Sequence, residues 1–468
     1  MISDECGIGL LDKSSIPVIP SSIISDSFED FEYWYNTRGE SGVVVLQGMA
    51  AKLLPFCDNH MSIGQIQSLG IWTPEEKVVL PQLVWSLAKI QMIELPKVSK
   101  LLAADRQEKH RKKFTVWIQL TDQCNLRCPY CYIDKSPHRI ESSLVKQSIE
   151  KILREIEEDG YTDLVIKYAG GEPTLCWDII NEVIDWTSSL QDCSVKIRHV
   201  LLTNGYSLSE DMLHAIGERK MSVSISLDGI GAVHDRQRAT IGGDGSFLEI
   251  HKNISSLIEL GVKPYILTTV TRNNQDQLQE LAQYCTERGL GFRLSLYRGT
   301  GENRQNFEGD HEKLASDLVD FYEWFGNHLP EKNLHTNHRF CDVNLLRPKA
   351  TNCGIGKSSV AIDTSGKLAI CQYQMDRTIG DIRNDGVLDS LNRQNFYNPS
   401  KDNAKFVPEC KSCQWLYTCA NGCPLHLRSI RGTFTSVSSY CSVYSAVLPA
   451  LIRTHAKQIV NHCNKEGR

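Results

Sequence analysis

Residues 114–131, FTVWIQLTDQCNLRCPYC, run an apolar segment into three cysteines, Cys124, Cys128 and Cys131, at C-x3-C-x2-C spacing. The apolar half reads as a buried strand that delivers the chain into a cysteine loop. Three thiolates can hold three irons of a [4Fe-4S] cluster and leave the fourth iron open. A structural metal site closes every position, whereas an open position admits a substrate or cofactor. The triplet therefore points to a reactive cluster, with half of a zinc site as the competing reading of the same spacing.

Downstream, VIKYAGGEP puts Gly170, Gly171, Glu172 and Pro173 at the end of a second strand-like run. Together with Tyr130, just before the last thiol of the triplet, these residues resemble the radical S-adenosylmethionine (radical SAM) superfamily. The resemblance implies that the cofactor's methionyl amino and carboxylate groups chelate the open iron. One electron then cleaves the sulfonium to a 5'-deoxyadenosyl radical. It places Glu172 against the ammonium, with Gly170 and Gly171 lacking the Cβ that would hold the main chain off the cofactor. It brings Asn204 of HVLLTNG and Ser226 and Asp228 of SVSISLDG near the ribose and carboxylate. Arg238 of VHDRQR is a bidentate partner for that carboxylate. For each of these polar residues an ordinary turn, cap or surface position is the alternative.

The middle of the chain alternates strand and helix. Ser142 to Glu158 is amphipathic at helical spacing, Asp163 to Tyr168 is apolar, and LCWDIINEVIDW precedes VKIRHVLLT. MSVSISL, FLEIHKNISSLIELG, VKPYILTTVT, QLQELAQYCTERG and FRLSLY continue the rhythm through Tyr297. About six such units make an α/β fold, a partial (β/α)6 radical SAM barrel whose site lies at the strand C-termini.

A second cysteine set follows: Cys353, then Gly366 and Cys371, then Cys410, Cys413, Cys419, Cys423 and Cys441. This array resembles the SPASM domain, which binds auxiliary iron-sulfur clusters. The resemblance implies that Cys410, Cys413, Cys419 and Cys441 hold an outer [4Fe-4S] cluster and Cys353, Cys371 and Cys423 an inner one. Cys341 is the nearest candidate for the missing fourth inner ligand. If it does not reach, the inner cluster has an open iron for a substrate side chain. Cys6, Cys57, Cys176, Cys193, Cys285 and Cys463 carry no motif and read as core or surface thiols.

Ahead of the barrel, FEYWYN and GVVVLQ read as two strands, and MAAKLLPFCD, SIGQIQSLG and KVVLPQLVWSLAKIQMIEL as three helices. This region resembles the winged-helix-like recognition element of ribosomal peptide maturation systems, implying that a leader peptide pairs along the sheet edge. A nucleic-acid reader needs a basic face; these helices carry few Lys or Arg and the chain is net −5. With 468 residues and 41% hydrophobic content the chain has room for several globular domains. The expected boundaries are a tail (1–30), the winged-helix-like domain (31–100), a linker (101–113) and the partial barrel (114–305). A bridging helical segment (306–350), the cysteine-rich SPASM domain (351–448) and a C-terminal tail (449–468) follow. No apolar run reaches a membrane span and no signal peptide is apparent, so 17 cysteines suggest reduced thiols and clusters in the cytoplasm.

The function expected is maturation of a ribosomally synthesised precursor peptide, bound through its leader and cross-linked by a thioether or carbon-carbon bond. S-adenosylmethionine, one SAM-binding and two auxiliary [4Fe-4S] clusters, and reduced flavodoxin or ferredoxin as electron donor would serve it. Neither nucleic acid nor membrane is an expected partner. A sulfatase-type maturase making formylglycine is disfavoured because Gln372, not an aspartate, follows Cys371. A DNA-bound iron-sulfur redox sensor would not need the GGEP segment.

Overall fold

Phe114, Val116 and Ile118 are fully buried while Lys113, Thr115 and Trp117 alternate with them on a more open face. This period of two is what a strand shows with helices on one side and a cavity on the other. The computed structural model describes residues 12–95, 112–190, 193–299, 304–329 and 338–465.

Six parallel strands run in chain order: β4 (Lys113–Gln119), β5 (Asp163–Ala169), β6 (Lys196–Thr203), β7 (Ser222–Ser226), β8 (Tyr265–Val270) and β9 (Phe292–Leu296). Helices separate consecutive strands, as parallel pairing demands. The helix Ser142–Glu158, between β4 and β5, buries Leu144, Val145, Ile149, Ile152, Leu153 and Ile156 and leaves its charged residues outside.

The sheet extends past the expected barrel on both sides and has ten strands. At one edge β10 (His338–Phe340) pairs in parallel with β9, so the segment expected to be helical bridging carries a strand beyond its helix His311–Asn327. At the other edge β11 (Ser359–Ile362) pairs in parallel with β4 and continues antiparallel into β12 (Lys367–Ala369) and β13 (Thr378–Asp381). The region around Cys353 and Cys371 is thus joined to the barrel by backbone hydrogen bonds.

The two terminal tails need correction. Residues 23–28, placed in a tail, form β1 (Ile23–Phe28), which pairs antiparallel with β2 (Phe31–Asn36), itself paired with β3 (Val43–Leu46). The N-terminal sheet therefore has three strands, not two, ahead of the helices Met49–Leu53, Ile63–Ser68 and Pro74–Lys89. FEYWYN is apolar on both faces because both are covered. Trp34 packs with those helices, whereas Tyr33 and Tyr35 join the main core, where the Tyr35 hydroxyl is 3.0 Å from Thr418 Oγ1. At the other end, residues 449–465 belong to the helix Cys441–Lys465, which buries Leu451, Ile452, Ala456 and Val460 against the helix His311–Asn327 and the N-terminal sheet. Linker residues 101–111 lie outside the described residues. Among the described residues no helix is long and apolar enough to cross a membrane.

Candidate active site

The cysteine loop follows β4 directly, and the end of β5 is stitched to it. Gly171 N donates to Thr121 O at 2.7 Å and Glu172 N to Gln123 O at 2.7 Å. A Cβ on Gly170 would stand 2.4 Å from Thr121 O and one on Gly171 2.0 Å from Gln123 O. Gly170 also has φ +144°, a conformation that L side chains rarely adopt. The two glycines are thus needed chiefly because two backbones meet here, which revises the expected reason of room for a cofactor.

A cavity of about 400 Å³ opens above this junction. Cys124, Cys128, Tyr130 and Cys131 line it together with Gly170, Gly171, Asn204, Ser226 and Arg238. These candidate residues, dispersed over more than a hundred positions in the sequence, share one surface. Asn204 Nδ2 donates to Asn125 Oδ1 at 2.7 Å and lies 3.7 Å from Cys124 Sγ, while Lys135 Nζ is 3.2 Å from Cys131 Sγ. Burial pushes the Cys128 thiol up to about 11, so its thiolate needs a bound cation to form at neutral pH.

Two expected contacts lie behind the wall. Glu172 is 1% exposed and its carboxylate accepts from Thr174 Oγ1 (2.8 Å), Thr203 Oγ1 (2.6 Å) and Asn204 N (2.8 Å). Burial raises its pKa, and these hydrogen bonds work in the opposite direction. Asp228 is 0% exposed and does not reach the cavity surface. Its carboxylate takes Arg238 Nε at 2.8 Å, Thr269 N at 2.8 Å and the Tyr130 hydroxyl. Asp228 therefore positions Arg238 and Tyr130; a buried carboxylate needs such donors, and here they come from the protein.

Part of the lining was not expected from the sequence. Tyr297, Arg298 and Gly299, following β9, line the cavity together with Tyr373, two residues after Cys371. The Tyr373 hydroxyl donates to Arg298 O, and its ring packs edge-on against Tyr132 at 5.7 Å. The Arg298 guanidinium is 2.5 Å from Asp342 Oδ2 and 3.0 Å from Cys341 Sγ. Residues after a strand's C-terminus were the available signal for YRG; nothing local marked Tyr373.

The remaining motif thiols separate electrostatically into two groups. Cys353, Cys371 and Cys423 act on one another, and burial raises Cys353 and Cys371 to about 12. Cys410, Cys413, Cys419 and Cys441 form the second group. The turn Ala420-Asn421-Gly422 links them, with all three residues at positive φ. There Asn421 N donates to Cys419 Sγ at 3.3 Å and Asn352 Nδ2 holds the carbonyls of Cys419 and Gly422. Cys341 is tied to the first group through Arg298, which acts on Cys371 and Cys423. All sixteen cysteines of the described residues are free thiols.

Residues 118–285 match the Radical SAM superfamily, and residues 353–414 match the SPASM iron-sulfur cluster-binding domain. A cysteine-type anaerobic sulfatase-maturating enzyme of Clostridium novyi is 25% identical over 326 residues, covering 65% of this chain and 85% of that protein. The solved structure of anSMEcpe with AdoMet and the Cp18Cys peptide shares the fold at TM-score 0.61 and 19% identity, over 74% of this chain and 99% of that one. Streptococcus suis SuiB, bound to its precursor peptide SuiA, aligns at TM-score 0.54 and 16% identity over 91% of this chain and 99% of that one.

Proposed function

We propose that this chain, a radical SAM protein with a SPASM domain, cross-links a ribosomally made precursor peptide by a thioether or carbon-carbon bond. Its domains imply S-adenosylmethionine and several [4Fe-4S] clusters as cofactors. The observation that carries the reading is the lining of one cavity, which brings the cysteine triplet together with Arg298 and with Tyr373, two residues after Cys371. A peptide residue held there would be within reach of both the cysteine triplet and the segment that carries Cys371.

The donor set suits the cofactors: three thiols that line the cavity, and two further thiol groups joined where one turn links Cys419 to Cys423. Cys124, Cys128 and Cys131 would hold the first cluster. Cys353, Cys371 and Cys423, with Cys341, would hold the inner auxiliary one, and Cys410, Cys413, Cys419 and Cys441 the outer. Bound there, the cofactor and cluster supply hydrogen-atom abstraction from an unactivated C–H bond. Arg238, aimed by Asp228, would take the cofactor carboxylate, with Gly170, Gly171, Asn204 and Ser226 shaping the rest of its seat. Tyr297, Arg298 and Tyr373 would orient the peptide and keep water from the reacting carbon. An inner cluster held by Cys353, Cys371, Cys423 and Cys341 would serve as acceptor for the electron released on bond formation, and reduced flavodoxin or ferredoxin would serve as donor.

Leader binding falls to the N-terminal domain. β1 and β3 are the outer strands of its sheet, and Ile71, Val78 and Val79 expose apolar side chains nearby in sequence. An extended leader could add to a sheet edge and bury such residues. A formylglycine-forming alternative keeps the same cofactors but calls for a base beside the inner cluster. Gln372 occupies that place, its Oε1 3.3 Å from Cys371 Sγ. Mass spectrometry of short peptides encoded beside this chain, after anaerobic reaction, tests the proposal. Loss of two hydrogens that fragmentation maps to two linked residues, with no aldehyde trapped by a hydrazine reagent, supports cross-linking; conversion of a cysteine or serine to a trappable aldehyde, or no change, overturns it.

A further inference from the structure

Exposed cations gather beside the outer thiol group. Tyr417, two residues before Cys419, carries two of them on its ring: the Arg38 guanidinium stands 5.8 Å and Lys405 Nζ 5.5 Å from the ring centroid. Arg38 comes from the turn between β2 and β3, and Lys405 from the loop that leads into Cys410. Two more exposed cations flank them. Lys411 directly follows Cys410, and Arg347 lies on the segment whose Lys349 N donates to Tyr417 O at 2.7 Å. Among the described residues none of Arg38, Arg347, Lys405 and Lys411 has a carboxylate partner. Asp402, in the same loop as Lys405, instead accepts from Asn398 N at 2.7 Å.

Apolar side chains stand exposed in the same place. Leu346 is 59% and Phe406 51% exposed. Leu346 Cδ2 lies 3.0 Å from the position a Cβ on Gly42 would take, so it abuts the turn that carries Arg38; Phe406 directly follows Lys405. Cys413 is half-buried between the exposed Ser412 and Gln414, which leaves the outer thiols close beneath the surface. The chain as a whole is net −5, so this face has the sign opposite to the rest. Gathered cations without counter-charges repel one another and steer an acidic partner toward them. An apolar centre inside a charged rim is the anatomy of a protein interface.

We propose that this face docks a flavodoxin-class carrier against the outer auxiliary cluster. Such a carrier presents the apolar edge of its flavin within an acidic surface, which suits Phe406 and Leu346 inside the ring of cations. The exchange is of one electron between flavin and cluster: the reduced partner is oxidised, the other is reduced, and no bond forms or breaks. The inference is independent of what is done to the peptide. It rests on Cys410, Cys413, Cys419 and Cys441 as the outer ligands.

The test is calorimetric binding of oxidised flavodoxin to the cluster-loaded protein at low and high salt. Binding is read without turnover, so it stands apart from the ligand assignment, which iron analysis of Cys441→Ala checks separately. Flavodoxin is expected to bind at low salt and to weaken as salt is raised. Arg38→Glu with Lys405→Glu lowers the affinity about tenfold or more, and slows reoxidation of reduced flavodoxin by the same factor at subsaturating protein. Arg38→Gln with Lys405→Gln gives a smaller loss in the same direction and guards against misfolding of the reversed pair. Phe406→Ser weakens binding without changing its salt dependence. Lys252→Glu, at a lysine 73% exposed on another face, leaves the affinity unchanged. Wild-type affinity in both double variants, or an equal loss in Lys252→Glu, overturns the proposal. So does a ferredoxin that binds here while flavodoxin does not.

Discussion

Replacing Asp228 by Asn separates a positioning carboxylate from an ordinary buried polar group. Asp228 is 0% exposed and Arg238 12%, with Nε to Oδ2 at 2.8 Å, and Thr269 N and the Tyr130 hydroxyl also donate to this carboxylate. The substitution removes the charge that compensates a nearly buried guanidinium and turns a donor toward groups that are themselves donors. Breaking a buried pair from one side costs about 3–5 kcal/mol, about two to three and a half orders of magnitude in a folding equilibrium. Removing both charges costs less, because no unpaired charge remains. The assay is the urea midpoint of the reconstituted protein under anaerobic conditions for Asp228→Asn, Arg238→Met and Asp228→Leu with Arg238→Met. The double variant should be more stable than Asp228→Asn, while both bind S-adenosylmethionine weakly. A midpoint for Asp228→Asn within error of the wild type, or a double variant no better than the single, would refute the pairing.

Three further outcomes are expected. Lys167→Met raises stability at pH 7 by on the order of 1–3 kcal/mol, from a folded value near 8 against 10.5, discounted for partial exposure. Because the folded pKa lies below the unfolded one, the lysine destabilises fully below pH 8 and ceases to do so toward pH 10.5; thermal melts across that range should show the gain shrinking. Cys441→Ala removes only the outer auxiliary cluster, so iron per chain falls from about twelve to about eight while cofactor cleavage persists, read by iron analysis with Mössbauer spectra. Val78→Glu, at a valine 78% exposed on the N-terminal domain, lowers leader affinity and precursor modification without lowering uncoupled cofactor cleavage. Deleting the whole domain is a poorer test, because Tyr33, Tyr35 and Val43 belong to the main core.

The parts legible in the sequence were those that backbone pattern or thiol spacing dictates. β4 announces itself by its apolar run, and the strand ends that carry Gly170, Asn204 and Ser226 follow from the strand-helix rhythm, because parallel strands put their C-termini on one rim. β1 was missed because IISDSF leaves no buried apolar row, its residues being half-buried or exposed. The C-terminal helix was read as a tail because most of its partners lie on distant segments, the N-terminal sheet and the helix His311–Asn327. The pairing of Asp228 with Arg238 was not legible because an aspartate at a strand end looks the same whether it faces a ligand or a neighbouring guanidinium. Its burial decides, and burial is tertiary. Arg298 and Tyr373 meet across 75 residues of chain.

The central claim is that Cys124, Cys128 and Cys131 form the site of reductive cofactor cleavage. The direct measurement is 5'-deoxyadenosine production from S-adenosylmethionine by the reduced, anaerobically reconstituted protein and by its Cys124→Ala, Cys128→Ala, Cys131→Ala triple variant. Production by the wild type and none by the triple variant, which keeps its auxiliary iron, is the expected result. Cleavage that survives in the triple variant would contradict it.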